Sequence, residues 1–333
     1  MASPRPEGPA WGLSSAQLRR EVGGVISILR GDRTGLTRLA QPEAGCWINV
    51  VAPSADEIAE LRLLGIPADY LSYPLDPDER ARSEREDGDL LIILRIPHYQ
   101  GEGSDVPYIT VPLGIILTPD YLVTVLGTED DLVEELASGK VRGLETTKRV
   151  RFVLQVLLHT SSRYLSHLRR ITRVIDGLED QLQQSTRNRE VLDLLKFQKS
   201  LTYFTTALRS NELMMERLQR SQWFTAYPED EDLLEDVITE NRQAIDMTNI
   251  QANILSSMMD AFASIISNNL NRVMKLLASV TIVLSLPTMV ASFFGMNVGL
   301  PFEGHRWAFL AILGISLAIS GTTLFIFWRR DWL

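Results

Sequence analysis

The chain has 333 residues, of which 45% are hydrophobic and 23% charged, with a net charge of −9. That balance suits a large soluble part with a small membrane part, and the acidic excess excludes nucleic-acid binding, which needs a basic face. A single cysteine, Cys46, excludes a disulfide framework and a thiolate metal site; inside the apolar run 46–51 it reads as an inert core residue.

Residues 1–20 are rich in Pro and Gly and lack the apolar core of a signal peptide, so they read as a flexible tail. Residues 21–140 read as a mixed α/β domain. Strands are expected at 25–29, 47–51, 89–96, 109–117 and 122–126, the last two split by the turn signal Thr118-Pro119-Asp120. Ser54 caps an expected helix at 55–64, with Asp56 and Glu57 in its first turn. A shorter helix is expected at 67–73 and another at 129–137. The run 76–87 carries charges of both signs and reads as a solvated surface loop rather than a metal site. The domain has no Gly-rich phosphate loop after a strand, no Ser/His/Asp arrangement and no close pair of histidines, so an enzyme is disfavoured.

Residues 141–227 read as a long antiparallel helical hairpin. Apolar residues hold helical spacing from Val150 to Leu182, break at 185–189, and resume from Val191 to Leu218. His159 and His167 lie more than two turns apart, too far to share a metal, and read as ordinary face residues. Pro228 then opens a third helix with Glu229, Asp230, Glu231, Asp232, Glu235 and Asp236 close behind it. Proline in the first turn and acids near an N-terminus are what helix energetics favour; the functional alternative is a cation site made by several of these carboxylates. This helix can run unbroken to residue 286, roughly 90 Å at 1.5 Å per residue, with 228–275 as a stalk.

Within it, Asp260, Ser264, Ser267, Asn271, Met274, Ala278, Thr281, Ser285, Thr288 and Ser292 fall on one alternating 4-3 track. A coiled-coil seam would carry Leu, Ile and Val there, yet Ile265, Ile266, Leu270, Leu276, Ile282 and Leu284 lie beside the track. Small polar residues on the inner stripe do not make a dry seam. Several copies around an axis would line a narrow, wettable hole, so a closed ring of copies is expected. Residues 276–294 and 307–328 lack charge and are long enough to span a bilayer, and the first span with its closing tripeptide is taken as 276–297. The loop 298–306 makes the spans an antiparallel hairpin. Arg272 and Lys275 before the first span, and Arg329 and Arg330 in the basic tail 329–333, place both ends in the cytoplasm. Pro287 frees a carbonyl near residue 283, which neighbouring helices or pore water would have to satisfy.

The segment Ser285-Leu286-Pro287-Thr288-Met289-Val290-Ala291-Ser292-Phe293-Phe294-Gly295-Met296-Asn297, followed by a short loop, a second span and basic residues, resembles the CorA family of pentameric magnesium channels. The resemblance is strong after about residue 230 and looser before it. It implies an α+β cytosolic domain followed by long helices, with two transmembrane helices per chain in a funnel-shaped homopentamer with a central pore. Mg²⁺ would cross the cytoplasmic membrane as a hydrated ion, with Co²⁺ and Ni²⁺ as further candidates, and no catalytic cofactor is needed. The implied partners are copies of the chain, membrane lipid and divalent ions.

The family's selectivity ring falls on Gly295, Met296 and Asn297, and its pore-facing residue types recur at Thr288, Leu277, Met274, Asn271 and Asp260. Ser285 stands where the family pattern has Met, and Pro287 directly precedes Thr288. A regulatory acid of the family matches Asp236, with Asp232 and Glu235 nearby, while its partner acidic pair aligns with Ser72 and Tyr73. One loop acid, Glu303, would attract cations outside. Val298-Gly299-Leu300-Pro301 and His305 resemble the zinc-transporting ZntB branch, which makes a zinc transporter the alternative. A membrane-anchored sensor without transport is a third reading, and it leaves the polar stripe unexplained. Neutral amide and carbonyl oxygens suit Mg²⁺, which gives up its waters reluctantly and must be released to conduct.

Overall fold

The computed structural model describes residues 25–32, 35–139, 141, 144–184, 188–221, 224, 228–296, 306–330 and 332. The chain divides into two compact units, Met1–Ser256 and Ser257–Leu333.

In the first unit, short apolar runs and two polar edge strands build a seven-stranded sheet. Its strands are β1 (Val25–Asp32), β2 (Gly35–Arg38), β3 (Trp47–Val51), β4 (Arg82–Glu86), β5 (Asp89–Tyr99), β6 (Tyr108–Leu117) and β7 (Leu122–Leu126). The order is β2-β1-β3-β7-β6-β5-β4, with β3 and β7 parallel and every other pair antiparallel. Because successive side chains point to opposite faces, β5 sends Leu90, Ile92, Leu94 and Ile96 into one core and Leu91 and Ile93 into another. The second core is closed by Leu61, Ile66, Tyr70 and Leu71, from α1 (Ala55–Leu63), α2 (Ala68–Ser72) and the turn between them. The first is closed by α3 (Asp131–Ala137), α4 (Arg149–Gln184), α5 (Asn188–Gln219) and the start of α6 (Pro228–Phe294). Sheet strands buried on both faces read as near-continuous apolar runs, and β7 is buried at every position with only Thr124 interrupting its run.

Local chemistry sets the ends of these elements. Ser54 accepts from the Glu57 amide while the Glu57 carboxylate accepts from the Ser54 amide, a reciprocal capping box for α1. Asp130 caps α3 by accepting from the Leu132 amide at 2.9 Å, which starts the helix two residues later than its sequence pattern suggests. The short helix expected at 67–73 is instead α2 followed by a 3₁₀ turn, Tyr73–Leu75. Pro74 lacks an N–H for the ladder and lies against Gly114, where a Cβ would stand 2.2 Å from Pro74 Cγ.

Two strands depart from the sequence expectation. The run 76–87, expected to be a loop, contains β4, paired with β5 in the register Arg82↔Ile93 to Glu86↔Asp89. Its backbone ladder needs no apolar side chain, and charges on an edge strand discourage further pairing. Arg82 forms ion pairs with Glu79 and Glu84 and places its guanidinium 4.7 Å from the centroid of the Tyr73 ring. The exposed strand β2, with only one half-buried residue, has no apolar alternation to announce it.

Two buried polar side chains tie the long helices to the backbone of β5. Asn211 of α5 donates to the Arg95 carbonyl at 2.8 Å and accepts from the Arg95 amide at 2.9 Å, in the manner of a neighbouring strand. Tyr164 of α4 donates to the same carbonyl at 2.9 Å, so both helices are pinned to one residue of β5.

Helix α6 has 67 residues, a contour of roughly 100 Å at 1.5 Å per residue. It does not stop at residue 286 but continues through Pro287 to Phe294. Helix α7 spans Ala308–Arg329. The C-terminal stretch of α6 and α7 are the two described helices long and apolar enough to cross a membrane.

Candidate ion pathway and cation-binding residues

In the second unit, the exposure of α6 divides its two long faces. Ser279 is buried and Val283, Leu286, Pro287, Val290 and Phe294 are half-buried, all on one face. On α7 the corresponding covered face is Ala311, Ile312, Ser316, Ser320, Thr323 and Phe327. These faces form the inner seam of the hairpin. At about 100° per residue, the 4-3 track of α6 lies about half a turn from that seam.

The structure places Asp260, Ser264, Ser267, Asn271, Met274, Leu277, Ala278, Thr281, Ser285, Thr288 and Ser292 on α6, each exposed in the single chain. Exposure is not special to the track, since Leu270 and Leu284 beside it are 61% and 66% exposed. What sets it apart is polarity on the face that α7 leaves open.

The hydroxyls on this face have a defined direction. Thr281 donates to the Leu277 carbonyl at 2.8 Å, Ser285 to the Ile282 carbonyl at 2.9 Å and Thr288 to the Leu284 carbonyl at 3.1 Å. Each proton is spent on the helix backbone, so the oxygen turns acceptor lone pairs outward. Waters around a cation direct their hydrogens away from the metal, and a row of acceptors is what such a shell requires. Pro287 lies on the seam face, so the carbonyl it releases is turned away from this row. Toward the end of α6, Ser285, Thr288, Ser292 and Met296 line an open groove with Leu284, Met289 and Phe293. Gly295 closes the helix by donating to the Ala291 carbonyl at 3.0 Å, and Met296 donates to that of Phe293 at 3.3 Å. Asn297, residues 298–301, Glu303 and His305 lie outside the described residues.

In the first unit, the acids at the start of α6 split into two groups. Arg151 of α4 donates to Asp230 at 2.9 Å and to Glu229 at 2.8 Å, and these bonds hold the Glu229 carboxyl below its usual range. Asp230 is buried, so this pair docks the helix start on the first core. Glu231, Asp232, Glu235 and Asp236 are exposed. Among the described residues no three His, Cys, Asp or Glu side chains converge as a metal site. Ser72 donates its hydroxyl to the Asp69 carbonyl, and the Tyr73 ring lies beneath Arg82. Neither offers a carboxylate opposite Asp236.

The histidines have partners that sequence spacing did not reveal. His98 Nδ1 is 2.7 Å from Asp130 and His159 Nε2 is 3.1 Å from Glu135. Arg163 also lies 2.8 Å from Glu135, a close charge contact without hydrogen-bond alignment. Burial raises the Glu135 pKa, but the His159 hydrogen bond and the Arg163 charge outweigh it and hold the carboxyl low. His167 stacks at a tilt 5.1 Å from Tyr108, and burial together with Arg163 pushes it down to about 4. These contacts join residues far apart in sequence, and only the helix-on-sheet geometry brings them together.

The first unit thus carries the sheet, and the second carries helical stretches long and apolar enough to cross a membrane, with hydroxyl oxygens on an exposed face of α6. A family model described as CorA-like Mg²⁺ transporter protein matches residues 42–330. The chain belongs to the CorA family of divalent-cation transporters, whose members act as channels rather than enzymes. It is 28% identical over 301 residues to the cobalt/magnesium transport protein CorA of Methanocaldococcus jannaschii, covering 86% of this chain and 91% of that one. With the Thermotoga maritima protein of the same description it is 22% identical over 294 residues, covering 86% and 83%. The complete structure of the Methanocaldococcus jannaschii magnesium transporter shares the fold, with a TM-score of 0.80 at 24% identity, covering 94% of this chain and all of that one.

Proposed function

We propose that this protein is a Mg²⁺ channel of the cytoplasmic membrane, with Co²⁺ and Ni²⁺ as further permeant ions. It works as a ring of copies, five by family resemblance, with the track from Asp260 to Ser292 facing the axis. One observation carries the reading: the open face of α6, opposite its seam with α7, presents hydroxyl oxygens whose protons are already bonded to the helix. The relatives' description as cobalt/magnesium transport proteins supports the choice of ion. Arg272 and Lys275 before the first span and Arg329 and Arg330 after the second place both ends in the cytoplasm.

In this reading a hydrated ion is held through its waters by the acceptor row, weakly enough to leave. Gly295, Met296 and Asn297 form the selecting ring at the outer mouth, and Asp260 carboxylates gather cations at the inner end. Asp236, with Asp232 and Glu235 nearby, senses cytosolic Mg²⁺. Because Ser72 and Tyr73 supply no carboxylate, closure needs a higher internal concentration than in relatives with a full acidic pair, since each missing charge weakens the pull on a hard cation.

The test is metal flux into vesicles holding the purified protein, with Mg²⁺, Co²⁺, Ni²⁺ and Zn²⁺ compared at a set membrane potential. Mg²⁺ should pass, and Asn297→Ala should abolish its flux while native mass spectrometry still shows the assembled ring. Near-normal flux in that variant would overturn the ring assignment, and a monomer or dimer in mild detergent would overturn the pore. Flux carried by Zn²⁺ and not Mg²⁺ would replace the magnesium reading with the zinc one.

A further inference from the structure

A second site lies in the first unit, away from the acids of α6. Ser83, Glu84 and Arg85 on the edge strand β4 and Leu90 on β5, with Arg217, Leu218 and Ser221 at the end of α5, line a partly enclosed recess of about 140 Å³. A water occupies about 30 Å³ of liquid, so the recess has room for one small polyatomic ion and little more.

Its charge is unbalanced. Glu84 is held by Arg82 at 2.7 Å, and Glu216 is shared between Arg242 at 3.6 Å and Arg220 at 4.0 Å. Among the described residues Arg85 and Arg217 have no carboxylate partner. Two like charges therefore face one small recess in a protein whose net charge is −9. Arg85 comes from β4 and Arg217 from the last turn of α5, so the fold alone brings both to the lining of one recess. Guanidinium forks match phosphate oxygens in pairs, and an oxyanion in the recess would supply the negative partner that both lack.

We infer that this recess binds a phosphoryl group, held by Arg85 and Arg217 with the leucines closing its apolar wall. The size of the recess fits a single phosphate, either free or at the end of a larger molecule that projects outward. The site is independent of the pore reading.

The experiment is isothermal titration of the full-length protein in detergent with inorganic phosphate and, separately, with adenosine 5′-monophosphate. Both arginines are exposed, so a dissociation constant of about 1 mM is expected, weakening as salt is raised. Arg85→Gln and Arg217→Gln should each weaken binding about tenfold, whereas Arg217→Lys should lose less, because it keeps the charge without the fork. Thermal midpoints of the variants within a degree or so of wild type would show that the fold is intact. Saturable binding of either probe that depends on both arginines supports the site, and binding of adenosine 5′-monophosphate alone identifies a carried phosphate. Absence of saturable binding by both probes, or binding unchanged in both Gln variants, overturns it.

Discussion

Thr124→Val tests how the sheet is joined to the helix layer. Thr124 is 1% exposed at the centre of β7, and its hydroxyl accepts from the Trp47 indole N–H at 2.8 Å while donating to the Asn49 side-chain oxygen at 2.8 Å. Trp47 in turn meets Phe152 of α4 edge-on, with ring centroids 5.0 Å apart. Valine keeps the shape of threonine and removes both bonds, leaving a buried indole donor and a buried amide oxygen unpaired. Each orphan costs about 1–3 kcal/mol, and the extra methyl returns about 0.8 kcal/mol, so a net loss of about 1–5 kcal/mol is expected. The assay is the denaturant midpoint of the detergent-solubilised protein, followed by tryptophan fluorescence. In a Trp47→Phe background the indole donor is gone, so Thr124→Val should cost about 1–2 kcal/mol less than in wild type. A loss under about 0.5 kcal/mol, or equal losses in the two backgrounds, would refute the hub role of Thr124.

Three further outcomes follow from the same geometry. His167, held at about 4 by burial with Arg163 and Arg170 against about 6.5 in an unfolded chain, binds its proton only after unfolding in that window. Stability should therefore fall as pH drops from 6.5 toward 4, by about 2 kcal/mol between pH 7 and pH 5. His167→Gln should flatten the acid slope of the thermal midpoint, and an unchanged slope would reassign it to another group. Arg151→Ala leaves the buried Asp230 carboxylate unpaired, at a cost of about 3–5 kcal/mol. It should speed hydrogen exchange in the first turns of α6, and unaltered exchange there would count against the docking role. Gly114→Ala drives a Cβ to within 2.2 Å of Pro74 and should cost about 1–3 kcal/mol of stability, read as a lower denaturation midpoint. Combining it with Pro74→Ala should recover part of the loss if that contact is the cause.

Much of this architecture is written in local patterns. The apolar runs of β5 to β7, the capping box at Ser54, the paired long helices and the two uncharged spans each depend on residues a few positions apart. Side-chain periods of two and 3.6 convert such spacing directly into faces. The 4-3 polar track is legible for the same reason, since it sits on one helix. The charged strand β4 and the exposed β2 were not legible, because their ladders are backbone bonds that leave no side-chain pattern. Tertiary structure alone decided that α7 covers the face of α6 opposite the track, and that Pro287 lies on the covered side. It alone set Arg151 against Asp230 and Asn211 against Arg95, and brought Arg85 and Arg217 to one recess. Each of those meetings joins separate elements across a folded sheet, and no spacing along the chain encodes a distance through space.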